Sequence, residues 1–191
     1  MSAVLLTPPA IEPLSLAAAK AFLRIEHDGD DDVISALITG SRIHIEAQTR
    51  RALITQTWRL VRDCWPAGGV LPVLPVPLRA LVAARVHNAE GEAQTIPLDH
   101  FTLDTVSAPA LIAPASGMPP VSGRAVAGIE IDFEAGYGGA EADVPEPLRH
   151  AVRLLIAHWY ENRALISATG EVAIVPAAVS SLLAPYRGLS L

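Results

Sequence analysis

The chain of 191 residues is 51% hydrophobic and 18% charged, with a formal net charge of −6, which excludes a disordered polypeptide and a surface built to grip a phosphate backbone. A single cysteine, Cys64, excludes an intrachain disulfide and a CxxC zinc pair, and makes the cytosol the default compartment. The length suits one well-buried domain, or one core with a sizeable insertion; the apolar share exceeds what a solvated monomer needs and reads as surface meant for other subunits.

The first residues, MSAVLLTPPAIEP, have no positive leader and are interrupted by Pro8 and Pro9. They are expected to be neither signal peptide nor membrane anchor, but an extended arm able to lie on a neighbour. Ser15 then caps a short helix with Leu16, Ala19 and Leu23 inward, Phe22 on the flank, and Lys20 and Arg24 towards water. In the acidic turn that follows, Asp28, Asp30 and Asp32 have the alternate spacing that opens an EF-hand calcium loop. Val33 stands where the turn glycine is required, however, and Thr39 where the bidentate glutamate belongs. The competing reading is an N-cap at Asp30 or Asp31 followed by an acidic first turn.

The second helix is expected from about Asp32 to Gln48. Val33, Ala36, Leu37, Gly40, Ile43 and Ala47 form one apolar stripe, and Ile34, Ile38 and Ile45 a second beside it, together spanning roughly 220° of the helix surface. One stripe is expected to face the chain's own core and the other a neighbouring subunit, with burial under the chain's own β part as the alternative. His44 reads as a core or interface histidine, because no other metal-ligating type shares its face at ligand spacing.

Beyond Arg51 the pattern becomes extended. Strands are predicted over 55–62, over 81–87 with a return through 94–96, and more briefly over 101–103 and 111–113. The segment 70–77, VLPVLPVP, has a proline at every third position and is limited to an edge strand or arm. Residues 108–120 read as a proline-rich loop. Over 127–134 Ile129, Ile131 and Phe133 alternate with Glu130, Asp132 and Glu134, apolar inward and acidic outward. Gly136-Tyr137-Gly138-Gly139 then bends the chain into the longest helix, 143–165, where Pro145 and Pro147 fit only in a first turn. Its inward stripe is Leu148, Ala151, Val152, Leu155 and Trp159, widened by Leu154, Ile156 and Leu165. His158 and Asn162 form an i, i+4 pair within that arc and read as a structural hydrogen-bonded pair. A linker over 164–175, a short helix over 177–183 and a tail ending in Tyr186, Arg187 and Leu191 complete the chain. Such a tail reads either as a docking segment or as a frayed terminus.

The usual signatures of catalysis are missing: no GxGxxG follows a strand, and there is no GxxxxGK[ST], HExxH or GxSxG. Cys64 beside Asp63 and Trp65 would need a histidine supplied by the fold to act as a nucleophile. The expectation is no enzyme, no cofactor and no metal. A metal-dependent enzyme using His27 with the carboxylates of Asp28 to Asp32 stands as the alternative.

Taken in order, AAAKAFLRI (17–25), the acidic turn, EAQTRRALITQTW (46–58), a β insertion, IEIDFEAGYG (129–138), VPEPLRHAVRLLIAHWYENR (144–163) and VPAAVSSLLAPYR (175–187) resemble the head–tail connector, or adaptor, proteins of long-tailed phages and phage-derived gene transfer agents. The resemblance covers nearly the whole chain, and no single motif is diagnostic. It implies an α+β fold: a small helical bundle of N-terminal helices and the long C-terminal helix, an inserted antiparallel β subdomain, and a C-terminal docking tail. The corresponding boundaries are 1–54 for arm and helices, 55–140 for the β insertion, 141–166 for the long helix and 167–191 for linker, short helix and tail.

The function implied is structural, a ring of about twelve copies below the portal vertex, whose closure needs a heterologous interface on every subunit. That ring would extend the DNA channel without sequence-specific binding and join the head to stopper or tail proteins; a stopper or tail-terminator layer is the alternative. Leu182, Leu183, Pro185, Tyr186 and Arg187 would meet the portal, and Ile34, Ile38, Ile45, Tyr160 and Arg163 the neighbouring subunit. No membrane is involved; assembly would be cytoplasmic and the destination the neck of a particle.

Overall fold

The computed structural model describes residues 2–162 and 175–187. The chain is α+β, and its sheets are antiparallel. It divides into two units: a β unit of residues 1–10 and 55–136, and a helical unit of residues 11–54 and 137–191.

The strands of the β unit are β1 (Ser2–Thr7), β2 (Gln56–Arg62), β3 (Leu71–Val73), β4 (Leu78–His87), β5 (Ala93–Ile96), β6 (Phe101–Asp104), β7 (Ala110–Pro114) and β8 (Ile129–Ala135). Five of them form one sheet in the order β1-β2-β8-β4-β5, and three a second in the order β3-β7-β6. The alternation read in β8 places Ile129, Ile131 and Phe133 fully inside, because side chains two apart share a face of the pleat. Register extends that apolar face to its neighbours: Leu60 and Ala84 both lie opposite Ile131, and Trp58 opposite Phe133.

Two expectations change here. The N-terminal arm is a strand of its own sheet, with Ala3 paired to Leu60, Val4 to Arg59 and Leu5 to Trp58. The loop expected over 108–120 is shorter than read, because the strand expected over 111–113 extends over Ala110–Pro114 as β7, where Ala110 and Ile112 are buried between β3 and β6. The proline-laced strand β3 does lie at a sheet edge, where a residue without an N–H leaves no ladder bond unmade.

The helical unit contains α1 (Leu16–Leu23), α2 (Asp31–Thr49), α3 (Glu146–Glu161) and α4 (Ala177–Leu183), the last followed by a 3₁₀ turn over Ala184–Tyr186. The Ser15 hydroxyl accepts from the Ala18 N–H at 3.3 Å and starts α1. Pro145 stands at the cap of α3, with Glu146 in its first turn at the positive end of the helix dipole. Gly138 permits the approach to α3, since a Cβ there would lie 2.0 Å from Asp143 Oδ2. The core joins Ile34, Ile38 and Ile45 of α2 to Leu148, Val152 and Leu155 of α3 and to Val179 and Leu183 of α4. Burial of each such side chain contributes about 2 kcal/mol.

Candidate functional site

Arg51 holds the C-terminal segment at Tyr186. Arg51 follows the end of α2, where Arg50 turns the chain with φ 56°. Its Nε donates to the Tyr186 carbonyl at 3.0 Å, and its Nη1 to the Tyr137 hydroxyl at 3.3 Å. The guanidinium also lies 5.7 Å from the centre of the Tyr186 ring, within reach of a cation–π attraction. Burial pushes the Tyr137 phenol above its ordinary value, with Arg51 pulling the other way. One residue further, Arg187 Nη2 donates to Gln48 Oε1 at 3.2 Å.

The five tail residues expected to meet a portal are therefore not equivalent. Leu183 is 1% exposed and belongs to the core of its own unit, so it anchors the segment and presents no surface. Leu182 and Tyr186 are half-buried, whereas Pro185 and Arg187 are exposed.

Of the two stripes of α2, the isoleucine stripe expected to meet a neighbouring subunit is the inward one. Ile34, Ile38 and Ile45 are 0–3% exposed and pack against α3 and α4, so in this chain they are core and not a subunit interface. The outward stripe is Val33, Ala36, Ile43 and Ala47, with Val33 40% and Ile43 54% exposed. His44 stands on its border, edge-on to the Trp159 ring with centroids 5.8 Å apart. Tyr160, also expected at an interface, is half-buried and its hydroxyl donates to the Asp30 carboxylate. Arg163 lies outside the described residues.

The acidic turn does not gather its carboxylates. Lys20 Nζ is 2.7 Å from Asp28 Oδ1 and 2.6 Å from Asp31 Oδ1, and Asp30 stands at the N-cap position of α2 with no side-chain capping hydrogen bond, its carboxylate accepting instead from Tyr160. Lys20 holds the exposed Asp28 carboxyl below its usual range by hydrogen bonding and charge. Among the described residues no group of three or more His, Cys, Asp or Glu is placed to hold a metal ion. Asn162 Nδ2 donates to the His158 carbonyl at 2.8 Å, and Cys64 is exposed as a free thiol.

Two buried ionic networks were not read from the sequence. In the helical unit Arg42 Nε donates to Glu12 Oε2 at 2.7 Å and its Nη1 to Glu46 Oε2 at 3.0 Å. Thr39 Oγ1 and the Leu53 N–H complete those two carboxylates. Burial opposes the charge of Arg42, but Glu12 and Glu46 outweigh it and hold the guanidinium above its ordinary value. In the β unit Asp132 accepts from Arg59 Nε at 2.6 Å and from Arg85 Nη1 at 2.8 Å. Burial would raise that carboxyl, yet the two arginines lower it. Beside Glu12 the helical unit has an open cleft of about 390 Å³ lined by Ile11, Leu14, Leu16 and Ile38.

No helix among the described residues is long and apolar enough to cross a membrane. No family model matches the chain, and no curated protein matches it. Solved structures do. The chain is similar, at 25% identity and a TM-score of 0.84, to a chain in the neck of an empty GTA particle computed with C6 symmetry, over 100% of its own length and 97% of the other. With the same identity and coverage it is similar to a chain in the virion of a native gene transfer agent particle, TM-score 0.82, and to one in the neck of a native GTA particle computed with C12 symmetry, TM-score 0.75.

Proposed function

We propose that this chain, by its fold a member of the head–tail connector family of gene transfer agents, serves as the adaptor of a particle neck. The supporting observation is the end-to-end match to neck chains, 100% of this chain on 97% of the other at a TM-score of 0.84. In this reading copies form a ring of about twelve below the portal, each using two unlike faces as cyclic closure requires. The ring extends the DNA channel and joins the head to stopper or tail proteins. A net charge of −6 suits a conduit along which DNA slides without adhering. Assembly takes place in the cytoplasm and the finished ring stays in the particle.

The role is mechanical and not catalytic. The tail beyond Leu183 is the portal contact: α4 and Arg51 fix its root, and Pro185 and Arg187 face outward from it. Arg187 there can meet a carboxylate and Tyr186 an amphipathic pocket. The outward stripe of α2, Val33 and Ile43, takes the place of the buried isoleucines as the helical contact between copies.

Deleting 185–191 is expected to leave the subunit folded, by circular dichroism, while heads and tails fail to join. A normal yield of complete particles from the truncated protein would contradict this. Cryo-electron microscopy of the particle distinguishes an adaptor from a stopper or tail-terminator by the layer the chain occupies. Calorimetric titration with calcium, magnesium and manganese tests the metal-enzyme alternative, which a heat of specific binding at Asp28 to Asp32 would revive.

A further inference from the structure

We propose that the free edge of β1 is where the next copy of this chain around the neck ring adds a strand. The inference rests on the ring reading above and assigns it a surface. Among the described residues β1 is paired on one side alone, to β2, so its other row of N–H and C=O groups is open. Edge strands are ordinarily blunted by charge, proline or shortness. Ser2–Thr7, SAVLLT, has six residues and neither a charge nor a proline; its one irregularity is the register shift between Leu5 and Thr7. The opposite edge, β5, has four residues and none of the exposed large apolar side chains, and the β3 edge of the smaller sheet contains Pro72.

Side chains repeat the message of the backbone. Val4, Leu5 and Leu6 are 50%, 40% and 43% exposed. Pairing puts Leu5 on the Trp58 side of the sheet and Val4 on the Arg59 side, so the edge is apolar on both faces. A partner that supplies an extended strand satisfies the open backbone row and covers both faces at once. The occupant is a second copy because the similar neck structures are computed with C6 and C12 symmetry. A cyclic ring brings unlike surfaces of identical chains together, and no two-fold axis relates one copy to the next around it. Pairing of β1 with β1 of the next copy is thereby excluded, and the added strand comes from a different segment of that copy.

The test uses the full chain in assembled particles. A photo-cross-linking residue in place of Ala3 is expected to give an adduct of twice the chain's mass, joined to a segment other than 2–7; an adduct with a different protein, or none, overturns the inference. Hydrogen exchange of the unaltered chain supplies a readout independent of any variant. Amides of residues 3–7 that face away from β2 are expected to exchange at least ten-fold more slowly in particles than in the free subunit, and unchanged exchange overturns the inference. The double variant Val4→Lys/Leu6→Lys is expected to fold but to enter particles at under a tenth of the normal level. Particles that contain the chain with an open β1 defeat the edge and leave the neck reading standing. Absence of the unaltered chain from particles defeats both.

Discussion

The helical unit and the β unit each bury a charge, but of opposite sign and with different surroundings. In the helical unit the deepest charged group among the described residues is Arg42, its side chain 8% exposed, between Glu12 at 29% and Glu46 at 14%. In the β unit it is Asp132, 6% exposed, between Arg59 and Arg85 at 30% each. The partners of Asp132 keep access to water and can be rehydrated if the carboxylate is lost; Glu46, bonded also to the Leu53 N–H, has less room to turn outward. A buried ion pair adds little net stability when intact, yet it is costly to break from one side, because the remaining charge stays dry. The asymmetry of exposure therefore predicts an asymmetry of damage.

The largest effect is expected from Arg42→Ala, at about 3–5 kcal/mol, seen as an earlier loss of helical circular dichroism in a urea titration. Asp132→Ala comes next, at about 1–3 kcal/mol, read from faster hydrogen exchange in the 56–62 peptide that pairs with β8. If the β variant proved the more damaging of the two, exposure of the partners would not be what decides the cost.

Acidity sharpens the same contrast with a smaller effect. Asp132 has its carboxyl lowered, against the push of burial, by Arg59 and Arg85. Its contribution is thus present above the unfolded value of about 3.9 and lost as pH falls through the folded value. Arg42 is raised, so its contribution is present below the ordinary arginine range and lost only as pH rises through the folded value. The gap in stability between the unaltered chain and Asp132→Ala should be constant from about pH 5 to 8 and narrow as pH falls below about 4. The gap for Arg42→Ala should stay flat from about pH 5 to 9. Denaturation midpoints across that range check both.

Where a local period decides the structure, the sequence was legible. The apolar stripe of α3, the bounds of α4 and the alternation in β8 all follow from spacing within one element. The two stripes of α2 were visible, but which of them faces inward was not, because both are apolar and the choice is made by what α3 and α4 present. The arginine at position 42 was an unused signal: it is i+4 from Ile38 and i−3 from Ile45, and a charge on a buried face demands a partner. That partner, Glu12, is 30 residues away, and no periodicity reports such a distance. Asp132 was legible as pointing away from the apolar face, but its burial comes from Arg59 and Arg85, 73 and 47 residues distant. The tail residues could be named; that Arg51 fixes Tyr186 could not, since the two are 135 positions apart.

The smallest effect is expected where apolar side chains face water. Ile43→Ser in α2 and Val82→Thr in β4 alter residues 54% and 48% exposed, one in each unit. Isoleucine and serine differ little in helix propensity, and threonine keeps the β-branch that suits a strand. Neither substitution removes a contact on which Arg42 or Asp132 depends, so each should shift the unfolding free energy by no more than about 0.5 kcal/mol. Urea titration of the isolated full chain is the measurement. A loss above about 1 kcal/mol at Ile43 would exceed what an exposed side chain costs; it would mean that the outward stripe of α2 is covered within a single subunit, and the contact proposed between copies would have to be sought elsewhere.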